Sequence, residues 1–157
     1  MIDDPQPYIP NNPVARAELL KEVQGRPEHA GITVSYPGDV RMKLARAGGF
    51  NLRWKEALLA EVEPYRMAMR AAGDDFSDEA SFTILARTYA RAVILELEGP
   101  GVPDDVHDVD AVTAWLLADE VLFGDIRTIA EDPENYPYAG LKEARIYGDP
   151  SSIRAED

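Results

Sequence analysis

The chain has 157 residues, with 29 Asp or Glu against 16 Lys or Arg and no cysteine, for a formal net charge of −13. Disulfides and thiolate metal sites are thereby excluded, and 45% hydrophobic with 29% charged residues describes one globular domain, not a disordered chain. No apolar run approaches the roughly 20 residues of a membrane helix, and "MIDDPQPYIP" places acids and prolines where a signal peptide has a basic and then an apolar run, so a soluble protein is expected.

Residues 1–13 hold four prolines and two asparagines and predict a flexible, extended arm. A single, mainly helical domain is expected over 14–136. It opens with a short helix, Val14 to Gly25, which sets Leu19, Leu20 and Val23 on one side and stops at glycine. Ile32, Val34 and Tyr36 then alternate with Thr33 and Ser35, Pro37-Gly38-Asp39 supplies a turn, and Val40, Met42 and Leu44 alternate with Arg41, Lys43 and Ala45. That pattern predicts a β-hairpin over about 32–46. Its apolar face must pack on helices or pair with another chain, because a lone hairpin is marginal in water.

Gly48-Gly49 ends the hairpin and Asn51 is placed to cap a helix over 51–72, where Trp54, Leu58, Val62, Tyr65 and Met69 form an apolar stripe. Pro64 predicts a kink or break near Glu63. Asp75 or Ser77 caps the next helix, expected over 77–98, with Phe82, Leu85, Tyr89, Val93 and Leu97 at helical spacing and Gly99 as its stop. A third helical stretch over 109–131 starts near Asp108 or Asp110 and bends at Asp119. From Pro133 the period is lost, and 137–157 is expected to be a partly ordered tail. The fold class is therefore mainly α: a small helical domain with an N-terminal β-hairpin and extended termini. Trp54, Val62, Phe82, Tyr89, Val93 and Trp115 are the expected core.

Little of the sequence carries chemistry. His29 and His107 are the only histidines, and no zinc-ligand spacing is present. The acidic loop 104–110, "DDVHDVD", lacks the order of an EF-hand and is best explained as a solvated loop supplying a helix cap. "ARAGGFN" lacks the Gly-Lys-Ser/Thr of a phosphate loop. No catalytic residue, cofactor or metal is expected, and nucleic acid is disfavoured by the excess of acid. The charge is nonetheless uneven: residues 41–73 hold seven Lys or Arg against Glu56, Glu61 and Glu63. Arg41, Lys43, Arg46, Arg53, Tyr65 and Arg66 in this segment are the candidate interaction residues. Arg41 and Lys43 are placed by alternation on the hairpin's polar face. The segment is expected to dock on the acidic half of a neighbouring subunit or on a partner.

Three quoted stretches, "MKLARAGGFNLRWKEALLAEVEPYR", "TYARAVILELEG" and "LLADEVLFGDIRTIAEDPENY", resemble the tail assembly chaperones of long-tailed bacteriophages and prophages. The matching positions are Lys43, Ala45, Arg46 and Gly48, then Pro64, Tyr65 and Arg66, then Val93 to Gly99, then Glu134, Asn135 and Tyr136. The resemblance spans residues 40–136 and departs at Gly49-Phe50, inserted before Asn51, and at Leu97, where the family pattern has tryptophan. It implies a mostly helical, self-associating, non-enzymatic chaperone in the host bacterial cytoplasm, absent from the finished virion. The implied client is the tape measure protein, with the tail tube protein recruited through a frameshifted longer form. Competing readings are a virion structural protein, such as a head–tail completion or tail subunit, and an acidic nucleic-acid mimic that inhibits a host enzyme. An enzyme is the least favoured.

Overall fold

A computed structural model describes residues 11–137, and the remainder of the expected arm and tail lies outside the described residues. Helix α1 (Pro13–Gln24) begins on Asn12, whose side-chain oxygen accepts from the N–H groups of Val14 and Ala15 at 2.8 and 3.2 Å. These are donors that a helix start otherwise leaves unsatisfied. Pro13, placed in the expected arm, is thus the first residue of α1. Leu19 and Val23 of α1 pack on Phe50, forming a small cluster beside the main core. A four-residue helix, α2 (Pro27–Ala30), leads into the sheet.

The expected hairpin is present. Strands β1 (Ile32–Tyr36) and β2 (Val40–Leu44) pair antiparallel, with Ile32 opposite Leu44 and Tyr36 opposite Val40. The break at Pro64 is also as expected: α3 (Leu52–Val62) gives way to a 3-10 turn at Glu63–Tyr65 and then α4 (Arg66–Ala72). Ser77 caps α5 (Asp78–Ala92).

The helix expected to run to residue 98 stops at Ala92. Residues Ile94–Glu98 form a third strand, β3, antiparallel to β2, in a sheet ordered β1-β2-β3. Phe82, Leu85, Tyr89, Val93 and Leu97 fit a helical period, but "ILELE" also alternates, and β2 decides between the two. Pairing sets Arg41 opposite Glu98, Met42 opposite Leu97 and Lys43 opposite Glu96, so opposite charges meet on one face and apolar side chains on the other. Gly99 ends the strand with φ +136°, and a Cβ there would lie 2.6 Å from the Asp39 carbonyl oxygen. Only glycine lets the chain leave β3 so close to the hairpin turn.

Asp108 caps α6 (Val109–Ala118), and Asp119 caps α7 (Glu120–Glu131) at the expected bend. Residues 133–136, just after α7, are more ordered than the lost period suggested. A 3-10 turn at Pro133–Asn135 delivers Tyr136 into the interior, where its hydroxyl donates to the carbonyls of Leu44 and Ala45 at 3.2 Å each.

The main core lies between one face of the sheet and α5, α6 and α7. Met42, Leu44 and Ile94 meet Tyr89, Val93, Val112, Leu116, Phe123 and Ile126 there. The ring of Tyr89 stands edge-on to both Trp54 (5.4 Å) and Phe123 (5.3 Å), which gains a little beyond the area buried. Of the six expected core residues, Tyr89 and Val93 are fully buried; Trp54, Val62, Phe82 and Trp115 are half-buried. Buried Glu61 joins α3 to α5: it accepts from Arg87 Nε at 2.7 Å and forms an ion pair with Arg91, whose Nε is 2.5 Å from its other oxygen, while Arg87 also reaches Asp110 of α6. The Tyr36 hydroxyl donates to Asp125 Oδ2 at 2.6 Å, pinning the hairpin tip to α7. That bond, with burial and carboxylate charge behind it, pushes the Tyr36 phenol up to about 12.

Candidate functional site

The candidate basic residues do not form one patch; four different local structures take them up. Arg41 and Lys43 do lie on the polar face of the sheet. There the glutamates of β3 stand opposite them, and Lys43 Nζ is 3.7 Å from Glu96 Oε2. Exposed pairs of this kind stabilise by at most about 1 kcal/mol, but they cancel the local field. Asp104 joins Glu96 and Glu98 around a groove of about 390 Å³ on this face, so its acids outnumber Arg41 and Lys43.

Arg46 is not available to a partner. It is 2% exposed and contacts Glu28 at 3.6 Å, while Arg26 reaches the other oxygen of the same carboxylate at 3.0 Å. The Arg26 guanidinium also lies 3.6 Å above the Phe50 ring. The second glycine of the pair finds its reason here: Gly49 has φ +55°, and a Cβ on it would come within 2.4 Å of Arg46 Nη1. The backbone around Arg46 is equally engaged. The N–H groups of Ala45, Arg46 and Ala47 donate to the carbonyls of Val93, Glu28 and Ala130 at 2.8–2.9 Å. Arg46 was expected on the surface because arginines usually are; the buried carboxylate of Glu28, delivered by α2, reverses that preference.

Arg53 is half-buried and turns inward, donating from Nη2 to the His29 carbonyl. Burial lowers its pKa, and burial followed by the Arg53 charge lowers that of His29. Arg53 and Ala57 of α3 line a groove of about 460 Å³ with Ala90, Leu95 and His107.

Tyr65 and Arg66 sit at the elbow between α3 and α4. The Tyr65 ring is edge-on to Phe76 at 6.1 Å, and Arg66 pairs with Glu63 at 2.9 Å. Beyond them, at the end of the basic segment 41–73, stands a surface whose apolar side chains the charge count did not single out. None of the seven residues of α4, "RMAMRAA", is buried, and the helix packs chiefly on the 3-10 turns at its two ends. Met67 is 83% exposed and Leu59, on α3, is 51% exposed. Arg66 and Arg70 are also exposed, and α4 contains no acid. The available signal was composition: a short stretch of methionine, alanine and arginine gives no reason for a helix to be buried.

Three of the four acids of the 104–110 loop are occupied locally. Asp105 accepts from the His107 N–H, Asp108 caps α6 and Asp110 pairs with Arg87. Among the described residues no group of three His, Asp or Glu side chains could hold a metal ion, and no helix is long and apolar enough to cross a membrane. No family model matches the chain, and neither does any curated protein or solved structure.

Proposed function

We propose that this chain is a non-enzymatic tail assembly chaperone of a long-tailed bacteriophage or prophage, and that its α3–α4 elbow holds the tape measure protein. The resemblance over residues 40–136 suggests the class, and the uncovered α4 supports it. A tape measure protein is a long helix that presents apolar stripes before the tail tube encloses it. Methionine suits such a client because its unbranched, polarisable side chain adapts to many apolar surfaces. Helix against apolar groove is a common mode of recognition. Arg70 would anchor an acid flanking the client's stripe, and the net charge of −13 would keep the complex soluble. In this reading the protein acts in the host bacterial cytoplasm, and a frameshifted longer form recruits tail tube protein.

Two observations test the proposal. The reading frame downstream should encode a very long, helix-rich protein. A mass-spectrometric inventory should find the chain in infected-cell lysate and not in purified particles. A stoichiometric amount in particles would make it a virion structural protein instead.

A further inference from the structure

The sheet has two edges, and they are built differently. β3 carries Glu96 and Glu98, is irregular against β2 at the Lys43–Leu44 step, and runs into Gly99-Pro100-Gly101. Charge, bulge and proline are the usual means by which an edge strand avoids pairing with another chain. β1 has neither charge nor bulge, and its flanking proline, Pro37, belongs to the hairpin turn that joins it to β2. Ile32-Thr33-Val34-Ser35-Tyr36 contains no charge, no proline and no irregularity in its register with β2. Among the described residues β2 is its only strand partner. Its other side therefore presents a row of backbone N–H and C=O groups, with Ile32, Val34 and Tyr36 half-buried along it.

We propose that β1 pairs with β1 of a second copy of this chain, antiparallel and centred on Val34, joining two three-stranded sheets into one of six strands. The sequence of β1 is self-complementary in that register. Val34 meets Val34 of the other copy, Ile32 meets Tyr36, and Thr33 meets Ser35. Valine with valine and isoleucine with tyrosine are favourable cross-strand pairs on the helix-facing side, and hydroxyl stands opposite hydroxyl on the other. A shift of one residue would set apolar side chains opposite hydroxyls and move them to the wrong face. A two-fold axis through Val34 makes the contact isologous, so it closes at two copies. β3 cannot do the same, because centring it on Glu96 sets that residue against itself. The contact uses no residue of the α3–α4 elbow. Five residues a side form a small interface, so the dimer is weak and concentration-dependent.

Sedimentation velocity on the full chain tests this. The weight-average mass should rise from 17.4 kDa toward twice that value between about 10 µM and about 1 mM, the range suited to a small interface. Thr33→Glu combined with Ser35→Glu should weaken the dimer by about tenfold or more, because the two-fold brings the new carboxylates together twice. Thr33 and Ser35 are exposed and lie opposite Lys43 and Arg41 within the monomer, so the same change favours the monomer's own sheet. Val34→Cys should yield a disulfide-linked dimer on mild oxidation, since the chain has no other cysteine and only the residue on the axis meets itself. Val121→Cys, at a position 72% exposed on α7, should not. A mass that stays at one copy throughout overturns the proposal. So does a dimer indifferent to the two glutamates, or one that Val34→Cys captures no better than Val121→Cys.

Discussion

Asn51 joins three parts of the fold and is 2% exposed. Its Nδ2 donates at 2.8 Å to the carbonyls of Arg46 and Ala92, and its Oδ1 accepts from the Arg53 N–H at 3.2 Å as the cap of α3. Asn51→Ala removes all three bonds. A buried carbonyl that loses its partner costs roughly 1–3 kcal/mol, and a lost helix cap about 1 kcal/mol. Allowing for water entering the space, the variant should lose roughly 3–5 kcal/mol out of a total on the order of 5–15 kcal/mol. Asn51→Asp separates the contributions, since it keeps the cap acceptor and turns a carboxylate oxygen toward both carbonyls. Its carboxyl pKa should be raised in the fold, so its penalty grows as pH rises through the unfolded aspartate value and is relieved by acid. Urea titration followed by circular dichroism reads both: the alanine variant's midpoint should fall by about 2 M with a urea slope near 2 kcal/mol per M. A loss under about 1 kcal/mol for alanine, or an aspartate variant as stable as wild type at pH 7, would refute the role given to Asn51.

Val93→Ala should cost roughly 1–3 kcal/mol, because Val93 is fully buried against the sheet; an unchanged melt would remove it from the core. Arg46→Met should cost about 3–5 kcal/mol by taking one of its two arginines from buried Glu28, whereas Arg41→Met should leave stability within about 0.5 kcal/mol, and equal losses in denaturant titration would contradict the assignment. His29, with its pKa lowered, should titrate below 6.5 in an NMR pH series. The unfolded chain binds the proton first as pH falls, so stability from this group is complete above about pH 6.5 and is lost as pH drops toward the folded value. Wild type should therefore lose more stability than His29→Gln on acidification, and a resonance titrating above 6.5 would reverse the sign.

Much of the fold is written in local pattern. The alternation about Pro37-Gly38-Asp39, the proline in the second helical stretch and the caps at Asn51, Ser77, Asp108 and Asp119 act over a few residues, and each stands where the structure uses it. What escaped depends on distant partners. β3 satisfies a helical spacing until β2 is placed beside it, and the charges of Arg41 and Lys43 find their reason in Glu98 and Glu96, more than fifty residues away. The same holds for Arg46, whose carboxylate sits on a four-residue helix, and for Tyr136, whose acceptors lie at the end of β2. The candidate site was legible in part. Tyr65 and Arg66 mark the elbow, but the charge count covered the whole of residues 41–73, whose β2 charges are already matched within the chain, and passed over Met67.

Coexpression with the cognate tape measure protein tests the chaperone reading most directly. The account predicts that the tape measure protein stays soluble and copurifies with the wild-type chain. Met67→Glu combined with Arg70→Glu, both at exposed positions, should leave the melting temperature unchanged and let the tape measure protein precipitate. A tape measure protein no more soluble with the wild-type chain than without it would contradict the function. One rescued equally by the double variant would contradict the elbow as the surface that holds it.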